Sequence, residues 1–120
     1  LMAPVFAMSD MLRDAELGFA DFDLFEVHEA FASQVLCTLA AWEDAEFCRA
    51  RLGRDQPLGP IDRDKLNTRG GSLAVGHPFA ATGARIVGAL ARMLEQRGSG
   101  RGLISVCTAG GMGVTAILER

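Results

Sequence analysis

Residues 70–87 read "GGSLAVGHPFAATGARIV", and this stretch decides the fold because its character changes half-way. The first part is too rich in glycine for a regular helix, whereas beyond Pro78 apolar side chains return at helical spacing. Ile86, Val87, Leu90, Met93 and Leu94 fall on one face, Arg85, Arg92 and Gln96 lie largely elsewhere, and Gly98 ends the run. The stretch therefore predicts a glycine-rich corner carrying His77, followed by a long amphipathic helix. Downstream, "RGLISVC" (101–107) is an apolar run of strand length, and after the loop "TAGGMG" (108–113) the terminal "VTAILER" has room for one more strand.

Upstream the same alternation continues. "APVFAMSDMLRDAELG" (3–18) has Pro4 suited to the first helical position, Val5, Met8, Met11, Leu12 and Ala15 at helical spacing, and Gly18 as a stop. In "DLFEVHEAFASQVLCTLAAW" (23–42), Leu24, Phe25 and Val27 suit a short strand, and from Glu29 onward Phe31, Val35, Leu39 and Trp42 take on a helical period. His28 then sits where a strand hands over to a helix. "EDAEFCRARLG" (43–53) places acids at its front and arginines at its back, which complements a helix dipole, and Gly53 closes it. Residues 54–67, with Pro57, Gly59 and Pro60, read as a surface loop. Helices alternating with short strands imply an α/β fold, a sheet with helices packed on it. Three strands are few for an independent sheet, and Leu1 opens on an apolar segment already under way, so the chain reads as a piece of something longer.

Composition narrows the function classes. The chain has 120 residues, 49% hydrophobic and 22% charged, with a formal net charge of -3. That balance lacks the basic excess needed to bind a phosphate backbone, and Arg49, Arg51 and Arg54 are read as a solvated helix end, so nucleic acid is excluded as a partner. The three cysteines, Cys37, Cys48 and Cys107, have no CxxC or CxxH spacing. They predict neither a disulfide framework nor a metal site, and fit a reducing, intracellular setting. No apolar run is long enough to span a membrane, so a soluble protein is expected.

Three positions carry chemistry-bearing residues. "GGMGVTA" (110–116) formally satisfies GxGxxA from Gly111, but a dinucleotide fingerprint needs a following helix, for which there is no room. What remains is Cys107 at a strand end before glycines whose backbone N–H groups could converge on an anion; the alternative is a small buried thiol beside a tight turn. His77 projects from a corner stiffened by Pro78, at a helix N-terminus that favours the neutral ring. The plainer reading there is a polar residue ahead of a helix whose first position is proline. His28, with Glu29 beside it, is by itself better explained by structure than by catalysis. Together, two histidines and a cysteine beside a glycine turn make an acid/base set with oxyanion donors, suited to acyl transfer or carbon–carbon bond chemistry on a thioester.

"VHEAFA" (27–32), "NTRGGSLAVGHPFAATGARIV" (67–87) and "SVCTAGGMG" (105–113) resemble, in this order, three C-terminal blocks of the thiolase family. "LMAPVFA" and "DFDLFEVHEAFASQ" are similar to the fatty-acid-oxidation, or trifunctional β-subunit, branch of 3-ketoacyl-CoA thiolases. The resemblance implies a five-layered αβαβα subunit of two similar halves, of which residues 1–120 are an incomplete C-terminal domain and the N-terminal half is absent. It implies that His77 activates a nucleophilic cysteine and helps hold the thioester oxygen. It implies that Cys107 is a second acid/base, that His28 stands where many thiolases carry asparagine and completes the first oxyanion hole through a water, and that the Ala109 N–H contributes to the second.

Besides His28, two positions depart from the family pattern: Ala80 stands for a glycine of GHPxGxTG, and Ala109 for the first glycine of CxGGG, which adds a methyl near the reacting acyl group. The nucleophilic cysteine belongs to the N-terminal half; Cys37, expected to be buried in an apolar helix, and Cys48, incidental on a charged one, do not match its context. The resemblance thus implies CoA-dependent cleavage of 3-ketoacyl-CoA by the intact enzyme and inactivity of this chain alone. Coenzyme A is expected as substrate, with no tightly bound cofactor and no metal. Expected partners are CoA thioesters, the N-terminal half, further copies in a homodimer or homotetramer, and a fatty-acid-oxidation α subunit, in a bacterial cytoplasm or, alternatively, a mitochondrion. The alternatives are a biosynthetic acetyl-CoA acetyltransferase and a non-catalytic thiolase-like module that binds acyl-CoA or a partner.

Overall fold

The computed structural model describes residues 1–120. The element order is α1 (Ala3–Asp14), β1 (Leu24–Val27), α2 (Ala32–Glu43), α3 (Ala45–Leu52), a single helical turn α4 (Ser72–Val75), α5 (Ala80–Arg97), β2 (Arg101–Thr108) and β3 (Met112–Glu119), with 3-10 turns at Phe19–Asp21 and Arg63–Lys65. The strands form one mixed sheet in the order β1-β2-β3. β1 runs parallel to β2, with Val27 opposite Ser105, and β3 returns antiparallel, with Thr108 opposite Met112. Residues 109–111 therefore close a three-residue hairpin, with Gly110 and Gly111 both at left-handed φ, 82° and 76°. No helix of the chain is long and apolar enough to cross a membrane.

The period of two along the strands divides the core between the two faces of the sheet. Phe25 and Val27 of β1 and Leu103 of β2 join the larger cluster, with Val5, Met8 and Leu12 of α1 and Val35, Leu39 and Trp42 of α2. Ile104, on the opposite face of β2, joins Ile86, Leu90, Met93 and Leu94 of α5, and Leu24 packs against this second cluster. Trp42 is fully buried and its indole N–H donates to the Val5 carbonyl (3.3 Å), tying α2 to α1. The backbone of α1 lies so close to β3 that a Cβ on Gly113 would stand 2.6 Å from the Pro4 nitrogen.

Several expectations need correction. Helix α1 ends at Asp14, before Gly18: Glu16 adopts φ 55° and the Leu17 N–H reaches back to the Leu12 carbonyl, which satisfies the helix end without glycine. Helix α2 begins at Ala32 rather than Glu29, leaving Phe31 62% exposed. Val87 is 46% exposed. It stands about 100° round the helix from Ile86, at the outer edge of the row formed by 86, 90, 93 and 94. Cys37 is exposed rather than buried, because Val35, Thr38, Leu39 and Trp42 form the inner face of α2. Cys48 is fully buried and its thiol donates to the Ala41 carbonyl (3.4 Å), so it is part of the packing rather than incidental. Arg54 is not a solvated end: its Nε donates to Ser9 Oγ of α1 at 2.7 Å.

Candidate active site

Asn67 builds the floor of the site. Its backbone sits at φ 48°, a left-handed conformation that asparagine tolerates better than most residues. From there its side chain grips β1 from 40 residues away: Oδ1 accepts from the Val27 N–H (2.9 Å), and Nδ2 donates to the Val27 carbonyl (2.9 Å) and to Glu29 Oε1 (2.8 Å). Leu66 bridges Phe25 in the parallel sense, and the Asn67 N–H donates to the Phe25 carbonyl (2.8 Å). Glu29, expected in the first turn of a helix, instead spends its second oxygen accepting from the Leu73 N–H (3.0 Å) at the start of α4. A Cβ on Gly71 would meet the Glu29 carboxylate, so a larger residue there would displace it from its hydrogen bonds to Asn67 and Leu73. Replacing Asn67 by aspartate keeps one acceptor, removes both Nδ2 donors and sets a carboxylate against Glu29. We expect a loss of about 2 kcal/mol at neutral pH, read by urea denaturation; an unchanged midpoint would show that the clip contributes nothing.

His28 follows β1, and its N–H donates to the Ser105 carbonyl (2.8 Å), continuing the parallel ladder by one residue. Alternation along 24, 26 and 28 sends its ring to the α5 face of the sheet. The ring is 2% exposed, with Nδ1 3.1 Å from Ser72 Oγ. Its pKa is lowered, first by burial and then by the neighbouring His77 and Arg85, so the neutral ring is the resting form. His77 comes from the exposed corner before α5, and its ring centroid lies 4.4 Å from that of His28.

The expected helix start at Pro78 is not found: α5 begins at Ala80, and Phe79 precedes it at φ 43°, 83% exposed. Strain of this kind, about 1–3 kcal/mol, persists where surrounding contacts hold it. Here the ring of His77 lies 4.9 Å from that of Phe79, and its Nδ1 is 2.8 Å from Thr82 Oγ1, the buried hydroxyl in the first turn of α5.

Cys107 lies two residues beyond Ser105 on β2, 6% exposed, at the same C-terminal end of the parallel pair. Its thiol points to the α2 side and donates to Gln34 Oε1 (3.6 Å), while burial pushes its pKa up, which keeps it protonated at neutral pH. The structure thus brings His28 and His77 into contact and places Cys107 one strand away. Ala109 is exposed on the hairpin beyond it. The strand Met112–Glu119, not a helix, follows Gly111, as expected from the rejection of a dinucleotide fingerprint. The chain has no group of three or more His, Cys, Asp or Glu placed to hold a metal ion.

A family model described as "Thiolase, C-terminal domain" matches residues 1–120. The chain belongs to the thiolase family. Among curated relatives, this thiolase domain is 50% identical over 119 residues to a 3-ketoacyl-CoA thiolase of Aeromonas salmonicida and 48% identical to one of Colwellia psychrerythraea. In each case the match covers 99% of this chain and 27% of the relative, so the chain spans about a quarter of their length. Among solved structures it superposes on the peroxisomal 3-ketoacyl-CoA thiolase of Saccharomyces cerevisiae, a five-layered A-B-A-B-A structure of two core domains of identical topology. That match has a TM-score of 0.73 and 36% identity, covering 97% of this chain and 28% of that one. An acetyl-CoA acetyltransferase of Syntrophomonas wolfei gives a TM-score of 0.77 at 31% identity, over 98% of this chain and 27% of that one. The mixed sheet with helices on both faces agrees with the α/β expectation for part of such a layered fold.

The sequence reading missed four residues that support the site: Ser72, Arg85, Asn67 and Glu26. Asn67 stands within one of the quoted blocks, and an asparagine ahead of two glycines in a loop is a signal for left-handed backbone. Glu26 offered a weaker one, an acid inside an apolar strand.

Proposed function

We propose that this domain is the C-terminal part of a 3-ketoacyl-CoA thiolase that cleaves 3-ketoacyl-CoA with coenzyme A, giving acetyl-CoA and a shortened acyl-CoA in fatty acid β-oxidation. The observation that carries this reading is the apposition of His28 and His77, 4.4 Å between ring centroids, at the end of the strand pair that bears Cys107. In the proposed cycle a cysteine thiolate outside this chain, activated by His77, attacks the 3-keto carbon. The bond between that carbon and C2 breaks, leaving an acyl-cysteine and the enolate of acetyl-CoA. His77 and, through a water, His28 hold the thioester oxygen of the enolate, and the Ala109 N–H contributes to the second hole, which holds the 3-keto oxygen that becomes negative when the cysteine attacks.

The Cys107 thiol gives its proton to the enolate carbon and recovers one from the incoming CoA, whose sulfur then takes the acyl group from the enzyme cysteine. A buried thiol with a raised pKa is suited to the acid half of that exchange, since it is fully protonated when the enolate forms. Coenzyme A is a substrate here, and the domain has no need of a tightly bound cofactor.

Residues 1–120 are proposed as one incomplete domain that works with an N-terminal thiolase half in a homodimer or homotetramer, together with a fatty-acid-oxidation α subunit, in the bacterial cytoplasm. The test is loss of absorbance of a 3-ketoacyl-CoA in the presence of CoA, comparing the full-length polypeptide with the 120-residue chain. Turnover by the full-length form alone is the expected result. If neither form turns over while acyl-CoA still binds, the protein is a thiolase-like binding module instead.

A further inference from the structure

We propose that Arg85 and Ser72 are positioning residues that fix His28 in the tautomer with its proton on Nε2, so that this nitrogen serves as a hydrogen-bond donor in the first oxyanion hole. The catalytic half of the inference rests on the thiolase reading above; the tautomer itself does not.

Arg85 lies on the first half of α5, and its Nη2 donates to Ser72 Oγ at 2.9 Å. A guanidinium has no acceptor and stays charged, so the direction of this bond is fixed. Ser72 is buried, and its hydroxyl has one further hydrogen-bond partner, His28 Nδ1 at 3.1 Å. With Arg85 on one lone pair, two arrangements remain. If Nδ1 carried the imidazole proton, the hydroxyl would accept twice and its own hydrogen would be left without an acceptor in a buried site. If Nδ1 is bare, the hydroxyl donates to it, and both Ser72 Oγ and His28 Nδ1 are satisfied. Buried donors without acceptors are rare because leaving one unmade forfeits its solvation entirely. The first arrangement leaves both the Ser72 proton and the Nε2 lone pair unpaired, the second only the Nε2 proton, so the single proton of the neutral ring resides on Nε2.

That nitrogen is buried and has no hydrogen-bond partner in the chain. The backbone of His28 is held by its N–H bond to Ser105, and its ring by Ser72 and by packing against His77. Its proton is thus an unused donor beside the His77 ring. An Nδ1–H tautomer would present a lone pair at the same point and have no proton to give to an oxyanion or to the water that holds it, so the relay decides whether His28 lends a proton to that hole. Ser72 and Arg85 touch neither substrate nor the reacting atoms in this account, and act only through His28.

The test is nitrogen NMR of protein labelled with 15N-histidine. The chain contributes two histidines, and a His77→Gln variant distinguishes their signals. Near neutral pH, wild-type His28 is expected to show an unprotonated Nδ1 and a protonated Nε2, with the other tautomer below about one part in ten. Ser72→Ala is expected to lose that preference and Ser72→Thr to keep it. Arg85→Gln, which leaves the aliphatic stem on α5, tests the relay should the serine variant fold poorly, and is also expected to mix the tautomers. In the full-length enzyme, Ser72→Ala should lower kcat about 10–100-fold with KM little changed.

A proton found on Nδ1 in the wild type, or a ratio indifferent to both substitutions, overturns the proposal whether or not the protein cleaves thioesters. A tautomer released by Ser72→Ala with kcat unaltered overturns its catalytic half. If the full-length protein has no thiolase activity, the tautomer measurement still decides the relay.

Discussion

In the full-length polypeptide, Cys107→Ala is expected to lower CoA-dependent cleavage of a 3-ketoacyl-CoA by roughly 10²–10⁴-fold, the range that a positioned proton donor contributes. Acylation of the nucleophilic cysteine is expected to persist when a simple acyl-CoA is supplied, because forming the acyl-enzyme from a thioester does not require protonation at carbon. The asymmetry follows from where Cys107 stands. It is 6% exposed, its pKa is raised by burial, and its hydrogen-bond partner is the neutral amide oxygen of Gln34 at 3.6 Å, not a base that would draw the proton away.

Such a thiol is a poor nucleophile at neutral pH and a ready source of one proton. Removing one buried sulfur leaves only a small cavity, so stability should change by about 1–2 kcal/mol, too little to explain a thousandfold loss of activity. Rapid-quench measurement of acyl-enzyme alongside steady-state thiolysis checks both halves. A fully active Cys107→Ala protein would remove Cys107 from the mechanism, and loss of both steps together would show that the substitution had disturbed the site as a whole.

The second large effect concerns Glu26, a carboxylate on the α5 face of β1 that is 3% exposed. Burial pushes its pKa up from 4.5 to about 7, with Arg85 offsetting part of the rise and Glu29 adding to it. A carboxyl raised in the folded state binds its proton more tightly there than in the unfolded chain. Its stabilising effect is therefore fully present below the unfolded pKa near 4.5 and is lost as pH rises toward about 7. The whole shift corresponds to at most about 3 kcal/mol.

Glu26→Gln abolishes this titration. The variant is expected to gain up to about 3 kcal/mol over the parent above neutrality, with little advantage near pH 4.5. Urea denaturation of both proteins across that interval measures the difference. A variant with the same advantage at both ends would show that the carboxyl titrates normally.

How far the sequence carried the reading depends on the distance over which each signal acts. The Leu24–Val27 strand, the long helix ending at Gly98 and the terminal hairpin are local patterns of period two or 3.6 bounded by glycine, and they were legible. His77, Cys107 and His28 stood out through their sequence contexts, and two of them meet. What was not legible depends on partners far along the chain. Glu29 reads as a helix-start acid, yet it accepts from Asn67 and Leu73, 38 and 44 residues away, and so the helix waits until Ala32. Cys37 reads as buried because its neighbours are apolar, but only the assembled layers decide which face of α2 turns inward. Arg85 reads as the polar side of an amphipathic helix, although its guanidinium turns back to Ser72.

The Asn67 clip has a consequence for assembly. By occupying the outer hydrogen-bonding positions of β1, Leu66 and Asn67 act as a stop at that edge of the sheet. The other border is β3, whose Met112 and Val114 are 60% and 55% exposed and whose outward amides and carbonyls pair with no strand of this chain. The sheet can therefore be lengthened in one direction only. Whatever polypeptide is added to it, a neighbouring part of the same protein or an errant copy during folding, must register against β3, and charge placed along that strand would govern both.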